Sequence, residues 1–163
     1  MRKPINNILQ CINDCYMIVI EYVNMIYSKY DKEATILNLI QVMKALSDET
    51  RIRILNILRD GELCVCELEE ILDITQSNVS RHLTKLTNAK ILDYYKVTKY
   101  VYYMVNENTL AEYPFIKEII EKETMKLEQC KIDYERLKKY KSSGLNCDDL
   151  KAGKVCFCDN HME

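Results

Sequence analysis

The chain has 163 residues, 48% of them hydrophobic, and a formal net charge of −2, enough for one domain with a core plus appendages. No apolar run reaches the roughly 18 residues of a membrane span, and the start, Met1-Arg2-Lys3-Pro4, leads into a stretch broken by Asn13, Asp14, Glu21 and Asn24 that does not read as a secretory leader. Three Gly and two Pro argue for mostly helix with short connections.

Residues 5–30 repeat apolar side chains at helical spacing (Ile5, Ile8, Ile12, Cys15, Val19, Tyr22, Ile26), predicting a long helix with a broad apolar face suited to dimerisation. We therefore read residues 1–33 as an N-terminal dimerisation segment. A second helix is expected over 34–46. Ser47 is the expected cap of a third, with Asp48 and Glu49 facing its dipole and Asp60-Gly61 stopping it.

Glu62-Leu63-Cys64-Val65-Cys66-Glu67-Leu68 opens the next helix, which runs to Leu72. On a regular helix, residues two apart point about 200° from each other. An ion gripping both Cys64 and Cys66 is then expected to unwind that helix or to catch its frayed first turn. Asp73-Ile74 is the turn, and Thr75 caps a helix from Gln76 to about Ala89, with Val79, Leu83 and Leu86 inward. This is a helix-turn-helix. Residues 91–105, rich in Val and Tyr around Thr98-Lys99, predict a β-hairpin, the wing. The fold class is thus mostly α with a small hairpin: a winged helix-turn-helix over residues 34–106.

Residues 75–103 carry Arg81, Lys85, Lys90, Lys96 and Lys99 against only Asp93, a basic face on an acidic chain. Candidate DNA-contacting residues are Gln76, Ser77, Asn78, Ser80, Arg81, His82, Lys85, Lys96 and Lys99. Arg81 and its polar neighbours suit base edges, and the lysines suit phosphates. Residues 107–141 are expected to form one long C-terminal dimerisation helix ended by Ser142-Ser143-Gly144, with 142–163 as a flexible tail.

Eight Cys in a chain without an export signal indicate reduced, cytoplasmic thiols and metal ligation rather than disulfides. They fall in pairs, Cys11/Cys15, Cys64/Cys66 and Cys156/Cys158, with Cys130 and Cys147 alone. Cys11 and Cys15, four apart, share a helix face. Cys156, Cys158 and His161 make a second candidate ligand set in the tail. Cys130 reads as a small core hydrophobe. The rival to metal binding is a thiol redox switch in the same fold. It needs an exposed thiol of low pKa, and Glu62 and Glu67 should oppose that. An enzyme is set aside: His82 and His161 are the only histidines and no Gly-rich phosphate loop occurs.

Ala45-Leu46-Ser47-Asp48-Glu49-Thr50-Arg51-Ile52-Arg53-Ile54-Leu55, the Cys64-Val65-Cys66 box, Ser80-Arg81-His82-Leu83 and the wing together resemble the ArsR/SmtB winged-helix metalloregulators over roughly residues 36–105. The resemblance implies a homodimeric repressor that needs no cofactor to bind operator DNA. A soft ion, arsenite or antimonite, or cadmium, lead or zinc, would release it. Arsenite sensors of this family often carry a third Cys where this chain has Glu69, so the remaining ligand must come from elsewhere. The cadmium/lead-sensing branch has a similar N-terminal Cys-x-x-x-Cys that reaches across the dimer, which implies Cys11 and Cys15 as partners of Cys64 and Cys66. The 107–141 segment contains no His, so the family's Asp-x-His site should be absent. Asp73 replaces the usual turn Gly, and Asp tolerates left-handed backbone.

Overall fold

The computed structural model describes residues 38–154. The expected N-terminal helix, with Cys11 and Cys15, and the tail set Cys156, Cys158 and His161 lie outside the described residues. Helix α1 occupies residues 38–46 of the described chain. Helix α2 (Glu49–Leu58) starts one residue later than expected, with Asp48 in the cap position expected of Ser47. Asp48, in extended conformation, accepts from the Arg51 backbone N–H, while the Ser47 hydroxyl donates back to the Lys44 carbonyl. The carboxylate is the stronger acceptor at the positive end of the helix, so Asp48 rather than Ser47 is the cap.

The chain then enters a two-residue strand, β1 (Leu63–Cys64), before helix α3 (Val65–Leu72). Asp73 closes α3 in the left-handed region at φ 55°, ψ 50°, as its chemistry allows. Helix α4 (Gln76–Asn88) follows, capped by Thr75 without a side-chain bond. Glu69 supplies that bond instead, accepting from the Gln76 N–H at 3.1 Å. Val79, Leu83 and Leu86 of α4 are fully buried against Ile54, Leu55, Leu68, Ile71 and Leu72, so the helix-turn-helix is one continuous core.

Strands β2 (Leu92–Val97) and β3 (Tyr100–Val105) form the expected hairpin around Thr98. The sheet has a third strand that local patterning did not predict. β1 pairs antiparallel with β3, setting Leu63 opposite Tyr103 and Cys64 opposite Tyr102. The tyrosines stack across the ladder, Tyr95 on Tyr102 with ring centroids 5.7 Å apart.

The single long helix expected over 107–141 is broken. Helix α5 (Glu107–Glu112) ends before Pro114, which starts α6 (Pro114–Glu118) at the position where a missing N–H costs nothing. A π turn (Ile119–Glu123) and a 3₁₀ turn (Thr124–Lys126) lead to Leu127, which is extended, and helix α7 (Glu128–Ser143) restarts there. Gly144 ends α7 at φ 69°. Residues 142–163 are not uniformly a tail either. Helix α8 (Cys147–Lys151) begins with a reciprocal capping box between Asn146 and Asp149. Leu145 and Leu150 pack it onto the core.

One buried ion pair ties three elements. Asp133 of α7 is fully buried, and its carboxylate accepts from Arg53 of α2 at 2.7 and 2.9 Å and from Gln129 at 3.1 Å. Arg53 also donates to the Leu72 carbonyl at the end of α3. The paired carboxylate raises the Arg53 pKa against the opposing effect of burial. His82 is similarly internal. Its Nε2 lies 3.1 Å from Asn78 Oδ1, and its Nδ1 lies 3.3 Å from Asp48 without hydrogen-bond alignment. Burial lowers the His82 pKa, partly offset by Asp48. His82, a candidate DNA contact, is buried and links α4 to the α2 cap.

Asp133→Ala leaves Arg53 unpaired and should cost about 3–5 kcal/mol, read from the denaturant midpoint at constant slope. His82 contributes differently. Its folded pKa lies below its unfolded value of about 6.5, so the unfolded chain binds more protons in that window. Stability is complete above that pH and declines as the pH falls below it. His82→Gln should flatten this decline in melts taken across pH 5 to 7.5.

Candidate metal centre and DNA-facing surface

The two box cysteines do not oppose each other as regular-helix geometry predicts. Pairing with Tyr102 holds Cys64 outside the helix at φ −85°, ψ 169°, so it is the N-cap of α3 and Cys66 is the second residue within it. The Cys64 and Cys66 sulfurs then lie 2.7 Å apart, and no unwinding is needed for both to face one point. Glu67 fixes this start. One oxygen accepts from the Cys64 N–H at 2.6 Å, and the other accepts from the Tyr140 hydroxyl of α7 at 2.7 Å.

The third thiol comes from Cys147, the first residue of α8. Its Sγ is 2.7 Å from Cys64 Sγ, and all three sulfurs lie within 4.8 Å of one another. An ion with sulfur bonds of about 2.3 Å at tetrahedral angles would set its sulfurs about 3.8 Å apart, so the 2.7 Å contacts would have to open by about 1 Å to hold one. Cys64 and Cys147 are buried and Cys66 is half-buried. Cys130 is buried elsewhere, its carbonyl accepting from Asn56, and takes no part in the cluster.

The thiols differ in acidity. The hydrogen bond shared with Cys66 pushes Cys64 up, and burial adds to that. The same bond lowers Cys66 to about 6, outweighing the raising effect expected of Glu67. Burial raises Cys147. Cys147 was the residue that box spacing could not find. The readable signal was the Gly144 stop followed by Asn146 and Asp149 at capping-box spacing.

On the outer face of α4, Gln76, Ser77, Ser80, Arg81 and Lys85 are exposed. Asn78 is half-buried and accepts from both Arg81 and His82, so it braces the Arg81 side chain. On the wing, Lys96 is exposed, while Lys99 is paired to Asp148 of α8 at 2.8 Å. Among the described residues no helix is long and apolar enough to cross a membrane.

The family model described as "Bacterial regulatory protein, arsR family" matches residues 48–94. The chain is 39% identical over 83 residues to the "Cadmium resistance transcriptional regulatory protein CadC homolog" of Staphylococcus aureus, covering 50% of this chain and 64% of that protein. It is 47% identical over 66 residues to the "Arsenic resistance transcriptional regulator ArsR1" of Pseudomonas putida, covering 40% of this chain and 52% of that protein. The chain thus spans less than two thirds of either curated relative. A solution structure of a homodimeric winged helix-turn-helix DNA-binding domain from Mycobacterium bovis, described as from a possible ArsR-family regulator, is similar in fold. The TM-score is 0.50 at 19% identity, over 60% of this chain and 91% of that one. The helix-turn-helix lies within the matched residues 48–94 and the wing begins at their end, and the chain belongs to the arsR family of bacterial regulatory proteins.

Proposed function

We propose that this chain is a homodimeric, operator-binding repressor that a soft, thiophilic ion releases by binding Cys64, Cys66 and Cys147. The convergence of three sulfurs from one chain carries this reading. Thiolates select soft ions, and a three-sulfur set matches the pyramidal, three-coordinate habit of trivalent arsenic or antimony. Cadmium, lead and zinc favour a fourth ligand, which Cys11 or Cys15 would supply. Arsenite is therefore the leading inducer. The names of the arsenic- and cadmium-resistance relatives agree with an inducer of this class.

On the DNA side, Gln76, Ser77, Ser80 and Arg81 read base edges from α4, Asn78 positions Arg81, and Lys85 and Lys96 meet phosphates. Exposed Met125, Leu127 and Ile132, around the break before α7, supply apolar surface for the dimer. A specific observation favours a second trigger as well. The thiol of Cys66 is acidified and lies 2.7 Å from Cys64. Peroxide could accept two electrons and two protons from a pair of these thiols, leaving a disulfide and water.

The recognition-helix assignment predicts that Arg81→Ala costs about 1–3 kcal/mol on the operator and much less on random duplex, measured by anisotropy at fixed salt. Equal losses on both would remove Arg81 from base reading, and a monomer in sedimentation with full operator affinity would remove the dimer. For the effector, Cys64→Ser, Cys66→Ser and Cys147→Ser should each keep operator binding. Each should weaken arsenite uptake, followed by thiolate absorption, about tenfold or more. Cys130→Ser should behave as the parent chain. An undiminished arsenite response in Cys147→Ser would sink the three-sulfur site, and release by peroxide with chelator present would favour the redox trigger.

A further inference from the structure

Helix α8 does two things at once. At its first residue, the Cys147 sulfur joins the thiol cluster. At its second residue, Asp148 takes hold of the wing. Its Oδ1 accepts from Lys99 Nζ at 2.8 Å and from the Tyr100 hydroxyl, and one turn later Lys151 Nζ sits 4.5 Å over the Tyr100 ring. The ammonium and phenol of adjacent wing residues thus converge on a single carboxylate oxygen. The same pair of donors suits one oxygen of a DNA phosphate.

We propose that Asp148 is a tethered substitute for a DNA phosphate, so that an ion closing the three-sulfur site pins α8 and withdraws Lys99 and Tyr100 from the DNA backbone. This rests on the soft-ion reading above. The strength of the contact suits the role. Lys99 and Asp148 side chains are 63% and 70% exposed, and an exposed ion pair of this kind is individually weak. Without an ion, α8 is held by Leu145, Leu150 and weak contacts at the thiols and the wing, and a phosphate on the operator competes for Lys99 with ease. An ion bonded to Cys64, Cys66 and Cys147 cannot let α8 swing away. Asp148 then stays at high effective concentration beside Lys99, and the phosphate competes poorly. Neighbouring charges are already engaged: Asp149 pairs with Lys154 at 2.7 Å, leaving Asp148 as the carboxylate directed at the wing. The coupling is a difference in DNA affinity between loaded and unloaded chains, and it requires no repacking of α3 against α4.

The experiment is a mutant cycle on the full chain, using Asp148→Asn, Lys99→Ala and the double variant, with arsenite as the ion and operator duplex as the DNA. Arsenite uptake is followed by thiolate absorption and operator affinity by anisotropy. Asp148→Asn should take up arsenite with the parent stoichiometry. In the arsenite-loaded state it should hold operator about two- to fivefold more tightly than the parent. That gain should vanish in the Lys99→Ala background, which a general effect of removing a negative charge would not do. Lys99→Ala alone should also lower the salt dependence of operator binding in the ion-free state. Arsenite uptake by Asp148→Asn with an unchanged release ratio overturns the phosphate-substitute role and leaves the effector site standing. A parent chain that takes up no arsenite overturns the effector reading and this proposal with it.

Discussion

Cys64 ties the start of α3 to the sheet and to the thiol cluster through its backbone and its sulfur. Its amide is held by Glu67, its strand pairs with β3 at Tyr102, and its sulfur faces both Cys66 and Cys147. Had α3 begun one turn earlier, Cys64 would be helical and the box sulfurs would diverge by about 200°. The three-stranded sheet therefore sets the sulfur geometry by forcing one residue to stay extended. Glu67 makes the arrangement cooperative, since its second oxygen binds Tyr140 and draws α7 onto the start of α3.

Much of the fold is legible locally. The α4 stripe of Val79, Leu83 and Leu86 follows from helical spacing, the wing follows from Val and Tyr flanking Thr98-Lys99, and Asp73 adopts the left-handed turn that its short carboxylate permits. What was not legible has long-range causes. The start of α3 depends on Tyr102, 38 positions away in the chain by subtraction of their numbers, and no local pattern reports such a partner. Arg53 and Asp133 are each ordinary charged residues in sequence, and only the packing of α2 on α7 makes them a buried pair. His82 lies beside the inward stripe in sequence, but its partner Asp48, 34 positions away by subtraction of their numbers, is set by the packing of α2 on α4.

The break in the C-terminal segment has a similar logic. Apolar spacing continues through Ile116 and Ile120, so periodicity alone supports one long helix. Pro114, the π turn and extended Leu127 redirect the chain so that α7 can bring Asp133 to Arg53 and Tyr140 to Glu67. A straight helix would carry those side chains past their partners. The redirected chain also returns α8 to the wing, which is why a residue with no pairing signal of its own joins the thiol cluster.

Cys64 and Cys147 are 83 residues apart, and that span has a thermodynamic meaning. An ion bonded to both is a removable crosslink that closes a long loop in the unfolded chain as well as in the folded one. By the loop-entropy argument used for disulfides, a crosslink of this span restricts the unfolded ensemble by about 4–5 kcal/mol. Where the ion instead leaves on unfolding, ligand linkage stabilises in the same direction, because three converged sulfurs exist only in the folded chain. The ion-loaded protein would then be the harder one to unfold and to digest.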